Sequence, residues 1–228
     1  MGKKSLYSVA FIFLGTLLIL TISRTISNGN PYIYSILPFA WFLGLFFREI
    51  KIKKKLLKNE WIVFKKKKWI NIGLIILLLI ILNWVIQASH PIFNKYIPDK
   101  YLATYNFSLE TGLGLLFTLL TGLINIVVAF VEEITYRYDG MYIFRSKKWF
   151  CIFMLLVSSI LFGFSHYYNF GGSFLATGPY ILAGLVLGLF YLFSKNIWVP
   201  ILGHMVFNSI DILSGILLLI AHLIAIFK

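Results

Sequence analysis

Seven apolar stretches close to membrane-spanning length constrain this protein more than anything else in it: 6–23, 32–47, 69–86, 111–131, 149–166, 179–194 and 197–227. A helix needs about 20 mostly apolar residues to cross a bilayer. Inside lipid, every backbone polar group must find its partner within the protein. The pattern therefore predicts an all-α, polytopic membrane protein. A transmembrane barrel would show short segments of alternating hydrophobicity, and none occur. Composition agrees: the sequence is 60% hydrophobic and only 13% charged, where soluble domains run near half and a quarter. The second stretch is short and holds Pro38, which predicts a kink. The last, Trp198 to Phe227, has 30 residues, about 45 Å as one helix. We read it as one long seventh helix, tilted or kinked, with an eighth span as the alternative.

The charges set an orientation. There are 21 Lys and Arg against 8 Asp and Glu, a net charge of +13. Segment 48–68 concentrates the excess, with Arg48, Lys51, Lys53, Lys54, Lys55, Lys58 and Lys65 to Lys68. Such an excess beside an apolar span marks a cytoplasmic loop resting on anionic lipid headgroups, not a nucleic-acid surface. Counting outward, loop 87–110 is external, its Lys95 and Lys100 balanced by Asp99 and Glu110, while Arg145, Lys147, Lys148 and Lys195 return to the cytoplasmic side. The N-terminus is then cytoplasmic. Lys3 and Lys4 precede the first span without a small-residue cleavage site, which reads as a retained helix. The single cysteine, Cys151, cannot form an internal disulfide and carries no redox information. No repeat or linker divides the sequence. It reads as one continuous membrane domain in which 1–110 supplies N-terminal helices and the basic loop, and 111–228 a helical core.

Ionisable residues inside spans are costly, at about 2.5–3.5 kcal/mol each on insertion scales, and each needs a partner or a purpose. Glu132, Glu133 and Arg137 end the fourth span, His166 ends the fifth, and His204, Asn208 and Asp211 lie in the last. Glu133 and Arg137 are four apart, a spacing at which a helix pairs acid with base. Glu132 is turned about 100° away on an α-helix and is free to point elsewhere. His204, Asn208 and Asp211 share one face, as do Phe162 and His166. If the helix of Glu132 runs on to a turn near Ser146–Lys148 and returns as the fifth helix, Glu132 and His166 lie about 22 and 28 Å from the tip. All three sets are then expected to meet in the cytoplasmic half of the membrane.

At these residues the sequence resembles the CPBP (CAAX protease and bacteriocin-processing, also Abi) family of intramembrane proteases. The motifs read Glu132-Glu133-Ile-Thr-Tyr-Arg137, Phe162-Gly-Phe-Ser-His166 and His204-Met-Val-Phe-Asn208, in order and on separate spans, so 111–228 would be the catalytic core. The resemblance implies that Glu132 with His166 activates a water for attack on a peptide carbonyl. His204 and Asn208 would stabilise the oxyanion, and Glu133, Arg137 and Phe162 would support the site. Relatives often carry Gly after the Arg, where this protein has Tyr138. The implied substrates are small membrane-associated peptides or proteins. The implied roles are bacteriocin or pheromone precursor processing, self-immunity, or CAAX-type C-terminal processing, in a bacterial cell membrane.

Three alternatives stand beside this reading. One is a catalytically silent membrane scaffold or bacteriocin-immunity protein, against which the intact motifs argue. Another is a small transporter, disfavoured because no half-repeats or paired broken helices are seen. A divalent metal such as zinc is a third matter. One carboxylate and two histidines could form an open zinc site, although the His-Glu-x-x-His pattern is absent, and a glutamate-driven reaction without a cofactor is the preferred reading. His90 is expected in an outer loop, His222 has no assigned role, and Gly184-x-x-x-Gly188 is expected to let helices approach closely. Oligomeric state is not legible.

Overall fold

A computed structural model describes residues 2–98 and 107–226, together with the side groups of all of these except a few in the last helix, Asp211 and His222 among them. Asp99 and Lys100, counted above in the outer segment, lie outside the described residues. The described residues form helices and turns without strands, in seven long helices: α1 (Gly2–Ser27), α2 (Pro31–Lys66), α3 (Lys68–Phe93), α4 (Gly112–Glu132), α5 (Lys148–Ser165), α6 (Gly178–Ser194) and α7 (Trp198–Ile226). All seven are long and apolar enough to cross a membrane. Each covers nearly all of one apolar stretch, and the last is a single helix among the described residues.

Two expectations about loops are corrected. The basic segment 48–68 is helical: α2 runs for 36 residues, about 54 Å. Asn30 caps its start by accepting from the N–H groups of Tyr32 and Ile33, with Pro31 in the first turn. Lysine and leucine favour helix, so a charged stretch without Gly or Pro simply continues the span. α3 likewise reaches Phe93, with Pro91 in its last turn, which puts Gln87 and His90 on a helix rather than in a loop. His90 faces Asn94 at 3.1 Å there.

The basic half of α2 is tied to the core. Asn196 donates to the carbonyl of Glu60 at 2.8 Å, and the Trp198 indole donates to the carbonyl of Leu57 at 3.0 Å. The Lys53 ammonium donates to both carboxylate oxygens of Asp139 at 2.6 Å and lies 5.0 Å from the centre of the Tyr138 ring. Asp139 is 1% exposed. Removing the cation from a buried carboxylate forfeits a charge-assisted bond worth about 1.5–3 kcal/mol. Lys53→Met is therefore expected to lower thermal stability in detergent. Lys53→Met with Asp139→Leu should cost less than the two single changes added together. Strict additivity would mean that the pair contributes nothing.

The most extensive helix pairing joins α4 to α7. Gly122 makes it possible, because a Cβ there would lie 2.6 Å from Ile212. Gly184 and Gly188 bring α6 against Ser159 and Leu155 of α5, the packing role expected of them. The fourth span does run on to a turn before Lys148 and return as α5, but α4 itself packs on α7 and α2, and α5 on α6 and on the segment 133–144.

Candidate active site

The helix carrying the acidic motif changes its winding at the motif. Regular α-helix stops at Glu132, and Glu133–Asp139 form a π-helical turn, closed where the N–H of Gly140 donates to the carbonyl of Thr135 at 2.9 Å. Wider i→i+5 turns of this kind often mark functional sites. The turn leaves the helix at Gly140, where a Cβ would lie 2.6 Å from the Tyr136 carbonyl oxygen.

Glu133 and Arg137 are fully buried, and Arg137 Nε lies 3.3 Å from Glu133 Oε2. This is an ion pair without hydrogen-bond geometry: no nitrogen of the guanidinium has a hydrogen-bond partner among the described residues. The Arg137 guanidinium is held instead over the ring of Phe162, 4.1 Å from its centre, a stacking a cation over an aromatic face favours. Phe162 is the hub of the site. Its ring also meets those of His166 and His204 edge-on, at 5.0 and 5.8 Å.

Glu132 faces both histidines. Its Oε1 lies 4.0 Å from His166 Nε2 and its Oε2 4.0 Å from His204 Nε2, both too far for direct hydrogen bonds. The other ring nitrogens are anchored. His166 Nδ1 lies 2.9 Å from the Phe162 carbonyl. A carbonyl only accepts, so Nδ1 carries the proton and, in the neutral ring, Nε2 offers a lone pair towards Glu132. His204 Nδ1 lies 2.9 Å from Glu133 Oε1, which links the acidic pair to the last helix. Asn208 donates to the carbonyl of Asn125 at 3.0 Å, leaving its second amide hydrogen for another acceptor. Four motif residues thus gather around one point: Glu132, His166, His204 and Asn208 all line a single cavity of about 380 Å³. Asp211 lies on α7, but its carboxylate is outside what is described.

Each histidine meets a different oxygen of Glu132, at 4.0 Å. Among the described residues, no three His, Cys, Asp or Glu residues are placed to hold a metal ion.

The cavity has a polar wall that the sequence reading overlooked: Asn83 and Gln87 of α3, Asn125 of α4, and Asn169 beyond α5. The rule that singles out Glu132 counts ionisable groups, and the neutral carboxamides of Asn83 and Asn125 fall outside it. Gln87 escaped because it was assigned to a loop. A second, apolar groove of about 540 Å³ lies behind the site between α2, α4 and α7. It is lined by Phe46, Leu57, Phe130, Trp198 and Leu202, with Lys54 and Lys58 also along it.

Comparison with curated proteins and with solved structures gave no match. Residues 113–210 match the family described as Rce1-like, type II CAAX prenyl endopeptidase Rce1-like. That segment contains all three motifs; over those 98 of the 228 residues the protein is similar to type II CAAX prenyl endopeptidases, and its seven apolar helices mark an integral membrane protein.

Proposed function

We propose that this protein hydrolyses peptide bonds in small membrane-associated peptides or lipid-associated proteins, with Glu132 and His166 activating the water. The observation that carries the reading is the 4.0 Å spacing of Glu132 Oε1 and His166 Nε2 on the wall of one cavity. A water about 2.8 Å from each atom would donate one hydrogen to the carboxylate and the other to the imidazole. Its lone pairs would then point into the cavity, towards a bound carbonyl.

As the water oxygen attacks, Glu132 takes the water's proton and a tetrahedral oxyanion forms. His204 and Asn208 stabilise that oxyanion, an element often worth 2.7–4 kcal/mol in acyl transfer. For this, His204 faces the cavity with Nε2, its ring held in place by Glu133 Oε1, 2.9 Å from Nδ1. Collapse of the intermediate breaks the C–N bond, and Glu132 returns the proton to the departing amine. Arg137 and Phe162 keep Glu133 and both imidazoles in place. No step requires a cofactor. Purified protein in lipid vesicles is therefore expected to cleave a lipid-anchored peptide at an unchanged rate after treatment with a strong chelator. Zinc that leaves with the activity and restores it on readdition would overturn this mechanism.

The substrate is reached from the side of the basic residues. We place the N-terminus and the basic half of α2 on the cytoplasmic face of a bacterial cell membrane, by the excess of Lys and Arg there. Cys151 is buried, so a cysteine replacing the exposed Lys54 is a single reporter. An impermeant maleimide should label it only after the cells are opened. Labelling from outside intact cells would reverse the orientation. The apolar groove beside Lys54 and Lys58 suits the alkyl tail of a lipid-associated substrate. Processing of bacteriocin or pheromone precursors, self-immunity, or CAAX-type trimming are the roles such chemistry serves.

A further inference from the structure

Two carboxamides on α3 take no part in the chemistry above. Asn83 and Gln87 interrupt a helix that is otherwise aliphatic from Leu74 to Ile86 apart from Trp84. Both line the catalytic cavity, both are exposed, and neither has a hydrogen-bond partner among the described residues. Ser89, by contrast, is satisfied within its own helix through the carbonyl of Val85 at 2.6 Å. A carboxamide without a protein partner keeps its donors and its acceptor free, so two of them on the wall of the catalytic cavity are available to whatever binds there. Both lie outside 113–210, the segment that carries the family match.

We propose that Asn83 and Gln87 form a subsite that grips the backbone of an apolar peptide substrate in extended conformation. This rests on the protease reading and adds how the substrate is held. The two residues are one helical turn apart, about 6 Å along the axis. Alternate residues of an extended strand repeat at about 6.8 Å, so each carboxamide faces a peptide group on the same edge of the strand. A carboxamide offers a donor and an acceptor side by side, the complement of a backbone C=O and N–H. Both are neutral, which matches a peptide backbone and gives no counter-charge for an ionic group. The grip also serves the chemistry. Helical carbonyls are already hydrogen-bonded, and holding the strand open keeps the scissile carbonyl free for attack beside Glu132. Recognition through the backbone leaves the apolar residues of the substrate unrestricted at these positions.

The test uses the full-length protein in phosphatidylcholine nanodiscs and a palmitoylated apolar octapeptide carrying a fluorophore and quencher. A set of analogues replaces one backbone amide at a time by an ester, which removes one N–H donor. Asn83→Leu and Gln87→Leu should each raise KM up to about tenfold, the value of one hydrogen bond, with kcat within about twofold because the grip holds substrate and transition state alike. One ester analogue should raise KM for the wild type and have no further effect in the matching Leu variant. Unchanged KM in both variants, or ester penalties identical in wild type and variants, would overturn the subsite. Fluorescence anisotropy of the same peptide on Glu132→Gln protein separates this from the protease reading. Weaker binding in Glu132→Gln carrying either Leu change supports the grip even if the wild type cleaves nothing, and equal binding removes it.

Discussion

Glu132→Ala is expected to reduce cleavage of a membrane-anchored precursor by on the order of 10²–10⁴-fold, the usual contribution of a general base, while protein abundance stays near that of the wild type. The two halves of this result have one cause. Glu132 makes no direct hydrogen bond to either histidine, standing 4.0 Å from each, so its removal leaves no charge without a partner. What it removes is the acceptor of the water's proton. Comparing precursor processing in cells expressing wild type or Glu132→Ala measures both quantities from one blot. Processing that continues in the variant would take the general base away from Glu132. His166→Ala should behave alike, because its Nδ1 is bound only to backbone and to the adjacent Ser165.

Arg137→Ala should act through the fold. Glu133 is 0% exposed, and Arg137 is the cation beside it at 3.3 Å. Breaking a buried pair from one side costs about 3–5 kcal/mol, because the remaining charge stays buried. Abundance and melting temperature should therefore fall sharply, and activity with them. Arg137→Leu together with Glu133→Leu removes both charges and should recover much of the stability. It should not recover activity, since His204 Nδ1 then loses its acceptor, now 2.9 Å away. Full activity in Arg137→Ala at normal abundance would show that the pair neither supports the fold nor orients His204.

These expectations draw unequally on sequence and structure. Seven helices could be read from hydropathy because lipid leaves the backbone no alternative to helix, and the helices from Gly2–Ser27 to Trp198–Ile226 cover the apolar runs. Helix ends were harder to place. Where α2 continues through Lys51–Lys58 and α3 through Gln87–Phe93, polar residues signal the end of a membrane span but not the end of a helix, since Lys and Gln are good helix formers. The motif residues were legible because ionisable groups stand out in apolar runs. Their meeting was expected from the fourth and fifth helices lying side by side, whereas α4 packs on α7 and α5 on α6.

Sequence alone determined the class of fold, the identity of the residues at the site and the pairing of Glu133 with Arg137, since each follows from local composition or from neighbours a few residues apart. Tertiary structure alone decided how they meet. Gly122 lets α4 approach α7 closely, which puts His204 Nδ1 on Glu133. The π-helical turn begins at Glu133, and Phe162 slides under Arg137 from another helix. The same is true of Lys53, read from sequence as one more surface lysine until a bond to Asp139, 86 positions away, ties it to the catalytic turn. Contacts between helices far apart in sequence depend on which faces pack. In a protein whose helices are apolar nearly all round, hydropathy does not say which face that is.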